Sequence, residues 1–193
     1  PFPDAFLEDI LEALLPGSAN QPDLRRETMT LGIFSRLAEM VAQRPEFAAL
    51  GAYLREDANG VRRLQLAEQI ADLFDQYLVF RPDMVLDWDA GRIAREGDHV
   101  GWQALLWREL TRHCPGGHRA QRWQRMLERV AADPSSPACL PRRVSVFGIS
   151  YLPPAYLDVL QALACRVPVC FFMMSPCRQY WGDILSRREI GRL

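Results

Sequence analysis

The spacing of apolar residues changes once along this chain, and that change constrains the fold most. From residue 4 to about residue 132 the apolar side chains recur at helical spacing, most regularly over residues 61–80. After the Pro- and Ser-rich segment 133–137, two apolar runs, 144–149 and 167–174, flank a second helical stretch. The pattern predicts a mostly α chain, with a multi-helix subdomain over residues 1–138 and a partial α/β unit of βαβ type over residues 139–193.

Three local expectations follow from this pattern. Asp4 is placed to cap the first helix. The run 167–174 is apolar throughout, which is typical of a buried parallel strand. Two parallel strands do not make a stable sheet alone, so either strands from outside this segment complete the sheet or helices cover it. Together with the missing initiator Met, this indicates a piece of a longer protein.

Composition narrows the possible partners. All 23 basic residues are Arg, and the formal net charge is −1, so any DNA contact is expected to be local rather than a broad electrostatic attraction. No apolar stretch reaches the roughly 18 residues of a membrane span, and the first residues lack a signal-peptide pattern. The five cysteines form no C-x-x-C pair, which predicts reduced thiols and a cytoplasmic location: Cys114, Cys139, Cys165, Cys170 and Cys177.

No catalytic constellation is visible. A phosphate-binding loop of the G-x-x-x-x-G-K-[ST] type is absent from the sequence. A zinc site is disfavoured because no second C-x-x-C or H-x₃-H pair completes the candidate ligands His99, His113, Cys114 and His118. The carboxylate pairs Asp72/Asp75 and Asp87/Asp89 are expected on solvated faces. We therefore expect no catalytic residue, metal or cofactor.

A polar stripe lies opposite the apolar rows of the 61–80 helix: Gln65, Glu68, Gln69, Asp72, Asp75 and Gln76. Most such stripes are solvent surface, and a wet protein interface is equally compatible. However, Gln can pair with adenine, and Asp can accept from the cytosine amino group. Arg81 at the helix end and Arg119 farther along could hold phosphates or stack on bases.

Residues 71–83 resemble the A-D-L-F-D-Q-Y-x-x-x-R-P signature of the RecC family. The resemblance continues in order through residues 102–108, 147–154 and 175–183, and covers essentially the whole segment. It implies an inactive superfamily 1 helicase-like fold without ATPase motifs. Residues 1–138 would be its inserted helical subdomain, and residues 139–193 part of its RecA-like α/β core.

The resemblance also implies a function. RecC is the gamma subunit of exodeoxyribonuclease V, the heterotrimeric RecBCD helicase–nuclease of recombinational double-strand-break repair. It would be no enzyme by itself, since the helicase and nuclease sites belong to the partner subunits RecB and RecD. It would bind the duplex/single-strand junction, guide unwound single-stranded DNA and take part in Chi recognition.

The family's DNA-binding residues carry over where its motif matches. One set lies in the 61–80 helix and its C-terminal cap: Asp72, Leu73, Asp75, Gln76 and Arg81. Arg119 matches another tunnel arginine across a loop. Near the start, Phe2 stands where related sequences have a tunnel-lining Leu, and Glu8 stands where they have a Trp. Glu8 cannot replace an aromatic ring, so the recognised DNA sequence is left open.

Structural alternatives stay open for these residues. Leu73 lies on an apolar row and is also compatible with the core. Asp72 or Asp75 could form a scaffold ion pair with Arg81 or another Arg. As a whole, the helical segment is also compatible with a protein-interaction module that docks partner subunits without touching DNA, whereas an active helicase or nuclease is disfavoured. Three tryptophans at helical spacing are expected in core or interdomain packing: Trp102, Trp107 and Trp123.

Overall fold

The computed structural model describes residues 3–17, 24–92, 98–112, 114, 117–132, 140–149 and 151–174, with backbone alone for 98–100. Its elements in chain order are α1 Pro3–Leu14, α2 Arg26–Gln43, a 3₁₀ turn Pro45–Phe47, α3 Ala48–Leu54, α4 Val61–Phe80, α5 Pro82–Asp89, α6 Asp98–Thr111, α7 Arg119–Ala132, β1 Val144–Phe147, α8 Pro154–Ala164 and β2 Val169–Phe172. The predicted mostly helical chain with a small βαβ unit is confirmed.

The first hydrophobic core, the helical core, joins α2 to α6. The fully buried residues Met29 and Ile33 of α2 pack along α4, whose Phe74 contributes a ring with no exposed surface. The Phe74 ring meets Trp107 of α6 edge-on at 5.3 Å between centroids and Trp88 of α5 at 6.2 Å. Aromatic edge-to-face packing of this kind adds to the burial of apolar surface. The helical core therefore fixes the position of α4.

The start of α4 is set by the preceding turn. Gly60 has φ +75°, a left-handed conformation that glycine adopts without steric cost. The Asp57 carboxylate accepts hydrogen bonds from the backbone N–H groups of Arg62 and Arg63, both at 3.0 Å. These bonds satisfy two of the donors that a helix start leaves free. The helix ends where Pro82 opens α5.

The expected cap at Asp4 is wrong. The first helix begins at Pro3, so Asp4 lies inside its first turn and not before it. Proline is well suited to that first position because its fixed φ is helical and its missing N–H has no intrahelical partner. The Asp4 carboxylate is instead used across the fold, where it accepts a hydrogen bond from the Tyr156 hydroxyl.

The second hydrophobic core, the sheet core, joins α1, the later turns of α7, α8 and β1. It contains Leu11 of α1, Met126 of α7 and Val159 of α8, each almost fully buried. Since Ala120 of the same α7 belongs to the helical core, α7 contributes to both cores. The predicted boundary at residue 138 stays a prediction; the packing adds that α1 lies in the core of the sheet-containing part.

Within the described residues the sheet has two parallel strands, as the pattern predicts. The strands pair in register from Val144↔Val169 to Phe147↔Phe172, with α8 as the crossover. The prediction that residues 167–174 form a buried strand is wrong. Although Val167 is buried, the residues from Cys170 onward are exposed, and Met174 reaches 93%. Within the part of the chain that the structure describes, the strand pairs with β1 alone and no helix lies over its outer face, so its apolar side chains are exposed.

Candidate nucleic-acid interface

Three of the sequence-predicted site residues converge where α4, α7 and α1 meet. Asp72 and Asp75 stand one turn apart on α4, and Arg119 opens α7. Burial raises the pKa of Asp75, and the negative charges of Asp4 and Asp72 raise it further. The guanidinium groups of Arg119 and Arg26 lower it, with Arg119 the stronger of the two. With Glu8, which also lies close to Arg119, these residues form a group of six that we call the junction cluster: Asp4, Glu8, Arg26, Asp72, Asp75 and Arg119.

Asp72 is held by an arginine that the sequence did not single out. The Arg26 side chain reaches from the start of α2, placing Nε 2.6 Å from Oδ1 of Asp72 and Nη2 3.1 Å from Oδ2. The two side chains are 53% and 47% exposed. The scaffold ion pair left open for Asp72 therefore exists, with Arg26 as its partner. Its bidentate geometry fixes the plane of the carboxylate.

The Arg119 side chain lies close to two carboxylates and one aromatic ring. Its Nη1 lies 3.7 Å from the Asp4 carboxylate and its Nε 3.9 Å from that of Glu8. Its guanidinium carbon lies 5.6 Å from the ring centroid of Trp123, within the range of a cation–π contact. The side chain is 25% exposed. Arg119 thus has a limited open face, and a phosphate reaching it would compete with Asp4 and Glu8.

Tyr156 of α8 contacts the junction cluster through Asp4. Its ring packs edge-on against Trp123 at 5.2 Å between centroids, and its hydroxyl donates to Asp4. Burial raises the pKa of Tyr156, and the hydrogen bond to Asp4 and that carboxylate's charge raise it further. The phenol therefore stays protonated and remains a donor. Sequence reasoning missed Tyr156, Asp4 and Arg26 as members of this region because they lie far along the chain from the residues they meet.

The other predicted site residues are more open. Gln76 is exposed, and Leu73 is half-buried. Arg81 follows α4 with its side chain 59% exposed and Nε 4.0 Å from the Asp83 carboxylate, the limit of an ion pair. Phe2 lies outside the described residues. Gln76 and Arg81 thus offer accessible polar groups, whereas Asp72, Asp75 and Arg119 are already paired or partly buried.

The expectation of a solvated face is wrong for Asp89. Its side chain is 16% exposed and accepts from Trp107 Nε1 at 2.9 Å and Gln121 Nε2 at 2.9 Å, while His118 Nε2 lies 2.6 Å away. These partners come from α6, α7 and the residue before α7. Asp87, by contrast, is exposed as expected and pairs with Arg92 at 2.7 Å. Asp89 is therefore a structural acceptor inside the helical subdomain.

The aromatic and metal expectations have separate outcomes. The packing role expected for Trp102, Trp107 and Trp123 is confirmed, since all three are buried in one of the two cores. Among the described residues, no three His, Cys, Asp or Glu side chains are grouped to hold a metal ion. His113 lies outside those residues. In the same part of the chain, no helix combines the length and apolar character needed to cross a membrane.

Comparison with known proteins decides the family. The family model described as "RecC, N-terminal domain" matches residues 1–193, the whole chain. The chain belongs to the RecC family. Two relatives named "RecBCD enzyme subunit RecC" match it along nearly all of its length. The one from Escherichia coli is 35% identical over 100% of this chain, and the one from Haemophilus influenzae is 31% identical over 97%.

A more distant RecC relative covers part of the chain. The protein of the same name from Mycolicibacterium smegmatis is 29% identical over 66% of this chain. The chain spans 18% and 19% of the lengths of the Escherichia coli and Haemophilus influenzae proteins, respectively. The match therefore places this segment in the N-terminal domain of RecC, a small part of the whole subunit.

Proposed function

We propose that this RecC segment guides single-stranded DNA within a RecBCD-type helicase–nuclease and takes part in recognition of its regulatory sequence, Chi. In this proposal it is not an enzyme by itself. It works in the cytoplasm in a heterotrimer with RecB and RecD, whose sites perform unwinding and cleavage, and it also contacts the duplex/single-strand junction. Its helices and βαβ unit form part of an inactive helicase-like domain with a RecA-like core. The convergence of Asp72, Asp75 and Arg119 in a member of this family carries the proposal.

Each proposed contact has a chemical role. Asp72 and Asp75 accept from base amino groups, and Gln76 pairs with a base edge. Arg81 and Arg119 hold the backbone, while Leu73 and Phe2 provide apolar contact to bases. Gln76 and Arg81 are open to solvent, so a strand reaches them without rearrangement of their own contacts.

The charge of the junction cluster suits a moving strand. It has four carboxylates and two guanidinium groups, hence a formal charge of 2 − 4 = −2. The affinity for a DNA backbone rises with the number of phosphates that Lys and Arg neutralise. A high affinity of this kind would slow a strand that must slide. A cluster rich in acceptors instead discriminates between bases by their amino groups. Glu8 strengthens this bias because its carboxylate, 3.9 Å from Nε of Arg119, weakens the hold of that guanidinium on a phosphate.

The test uses the full-length subunit assembled with its partner subunits. We would map ATP-driven cleavage of end-labelled linear DNA for Gln76→Ala and Arg81→Ala. Gln65→Ala and Arg62→Ala are matched controls, because both residues are exposed on α4, with Gln65 roughly 16 Å along the helix from Gln76. The proposal expects normal assembly and unwinding, with sequence-triggered attenuation of cleavage lost or moved in the first pair only. An unchanged map in all four variants contradicts it.

A docking module that does not touch DNA is the second candidate, favoured by the exposed apolar side chains that the described residues place on the outer face of the sheet. Phe147 is 67% exposed, and its ring stacks on that of Phe172 at 4.2 Å between centroids. Exposed apolar surface of this kind is typical of protein interfaces. If Gln76→Ala and Arg81→Ala dissociate the complex, whereas Gln65→Ala and Arg62→Ala leave it intact, the docking function replaces the DNA-guiding one.

A further inference from the structure

The Arg26–Asp72 pair links two helices in the proposed reading site by two short contacts, whereas the pairs of Arg119 with Asp4 and Glu8 measure 3.7 and 3.9 Å. Arg26 lies at the start of α2 and Asp72 in the middle of α4, 46 residues apart in sequence. The side-on contact uses Nε and Nη2 on different carboxylate oxygens, at 2.6 Å and 3.1 Å. An arginine fork in this geometry fixes both the position and the rotation of a carboxylate.

The pairing leaves the Asp72 carboxylate usable. An ionised carboxylate has about four acceptor positions, and the fork occupies roughly one on each oxygen. The side chain remains 47% exposed, so the other acceptor positions can be reached from solvent. A base amino group could therefore hydrogen-bond to Asp72 while Arg26 stays in place.

The charge of Arg26 matters in the same place. A bare carboxylate beside a DNA backbone is repelled by the phosphates, and Asp72 has a second carboxylate, Asp75, one turn away. Arg26 offsets the negative charge of this pair and opposes the rise in the pKa of Asp75. At this exposure the ion pair contributes little to folding stability, so stability alone gives a weak account of its geometry.

We infer that Arg26 is a positioning residue of the single-strand reading site: it orients the Asp72 carboxylate toward a base amino group and offsets its repulsion of the DNA backbone. The inference rests on the proposed function. It adds a residue outside the RecC signature segment, on a different helix. Arg26 acts through Asp72 and need not touch DNA.

The experiment again uses the full-length subunit in its complex with the partner subunits. Its variants are Arg26→Ala, Arg26→Lys, Asp72→Asn and the double variant Arg26→Ala/Asp72→Asn. Arg92→Ala is the matched control, because Arg92 makes a similarly short exposed pair with Asp87, at 2.7 Å, outside the junction cluster. Two quantities are measured: the frequency of sequence-triggered attenuation, and the rate of unwinding.

We expect Arg26→Ala to lower the frequency of triggered attenuation about threefold to tenfold, which corresponds to a modest loss of binding free energy. Arg26→Lys should fall between wild type and Arg26→Ala, since an ammonium group keeps the charge but not the fork. The double variant should be no worse than Asp72→Asn, because Arg26 acts through that carboxylate. Unwinding should be unchanged throughout, and Arg92→Ala should match wild type.

Four results would overturn the inference. If Asp72→Asn lowers attenuation and Arg26→Ala does not, Arg26 has no positioning role, although the proposed function stands. If both residues contribute additively, Arg26 acts independently of Asp72. If Arg26→Ala also slows unwinding or prevents assembly, its role is structural. Should neither substitution change attenuation, the inference and the proposed use of Asp72 fail together, while the Gln76 and Arg81 variants still test the function separately.

Discussion

The helical core and the sheet core differ in how completely they close. In the helical core, aromatic and aliphatic side chains from five helices surround one another, and Phe74 and Trp107 have no exposed surface. In the sheet core, α1 and α8 cover the inner residues of β1, while residues 170–172 of β2 and Phe147 of β1 are exposed in the described part of the chain. Helices satisfy their backbone hydrogen bonds internally, whereas an edge strand leaves one edge unpaired, and a two-stranded sheet is marginal without packing on its faces. Among the described residues the first core is thus closed, and the second leaves apolar side chains exposed.

The largest expected effect compares two phenylalanines. Phe74→Ala should lower the free energy of unfolding by about 3–5 kcal/mol, because it empties the centre of the helical core. Phe172→Ala should cost less than about 1 kcal/mol, since the Phe172 ring is exposed and stacks on the exposed ring of Phe147. Urea unfolding of the chain measures both. Equal losses would show that the sheet face is covered and would break the comparison.

A smaller effect compares two neighbouring carboxylates. Asp89→Ala should cost about 2–4 kcal/mol, because it leaves the indole N–H of Trp107 and the amide of Gln121 without their acceptor in a buried place. Asp87→Ala removes an exposed pair with Arg92 and should cost less than about 1 kcal/mol. Thermal unfolding of the two variants side by side distinguishes them. A similar loss in both would mean that Asp89 is not a structural acceptor of the helical subdomain.

These pairs also show what sequence could and could not predict. The bounds of α4 agree with its apolar rows, and the tryptophans at helical spacing are core residues, because periodicity reports which face of a helix is buried. The RecC signature likewise identified the family. Periodicity does not show which residues of different helices contact one another. Asp89 looked solvated because its acceptor role depends on His118 and Gln121, 29 and 32 residues away.

The candidate site divides in the same way. Family resemblance selected Asp72, Asp75 and Arg119, and the fold brings these three together. Local sequence could not reveal that Arg26 holds Asp72, nor that Tyr156 meets Asp4 across 152 residues. The exposure of β2 was missed for a related reason. An apolar run indicates a strand suited to burial, but it does not show which residues would cover that strand.

The smallest effect concerns Asp75, which lies where the two cores meet. Burial raises its pKa above the ordinary value of an aspartate, so the protonated form is favoured more in the folded chain than in the unfolded one. The ionised form therefore opposes folding: this penalty is absent below the unfolded pKa and complete above the folded pKa. Asp75→Asn cannot ionise, so it should be more stable than wild type at pH 7, by less than about 1 kcal/mol. The gain should vanish near pH 3.5 in urea unfolding.

Arg119 offers a way to sharpen that measurement. Its guanidinium lowers the pKa of Asp75 and so relieves part of the penalty. In an Arg119→Ala background the stabilisation by Asp75→Asn at pH 7 should therefore be larger. The pH at which this stabilisation disappears should be no lower than in the wild-type background. A gain that is independent of pH would show that ionisation of Asp75 does not oppose folding. A gain unchanged by Arg119→Ala would show that Arg119 does not act on the Asp75 carboxylate. In that case Asp75 would meet a DNA strand with no help from Arg119.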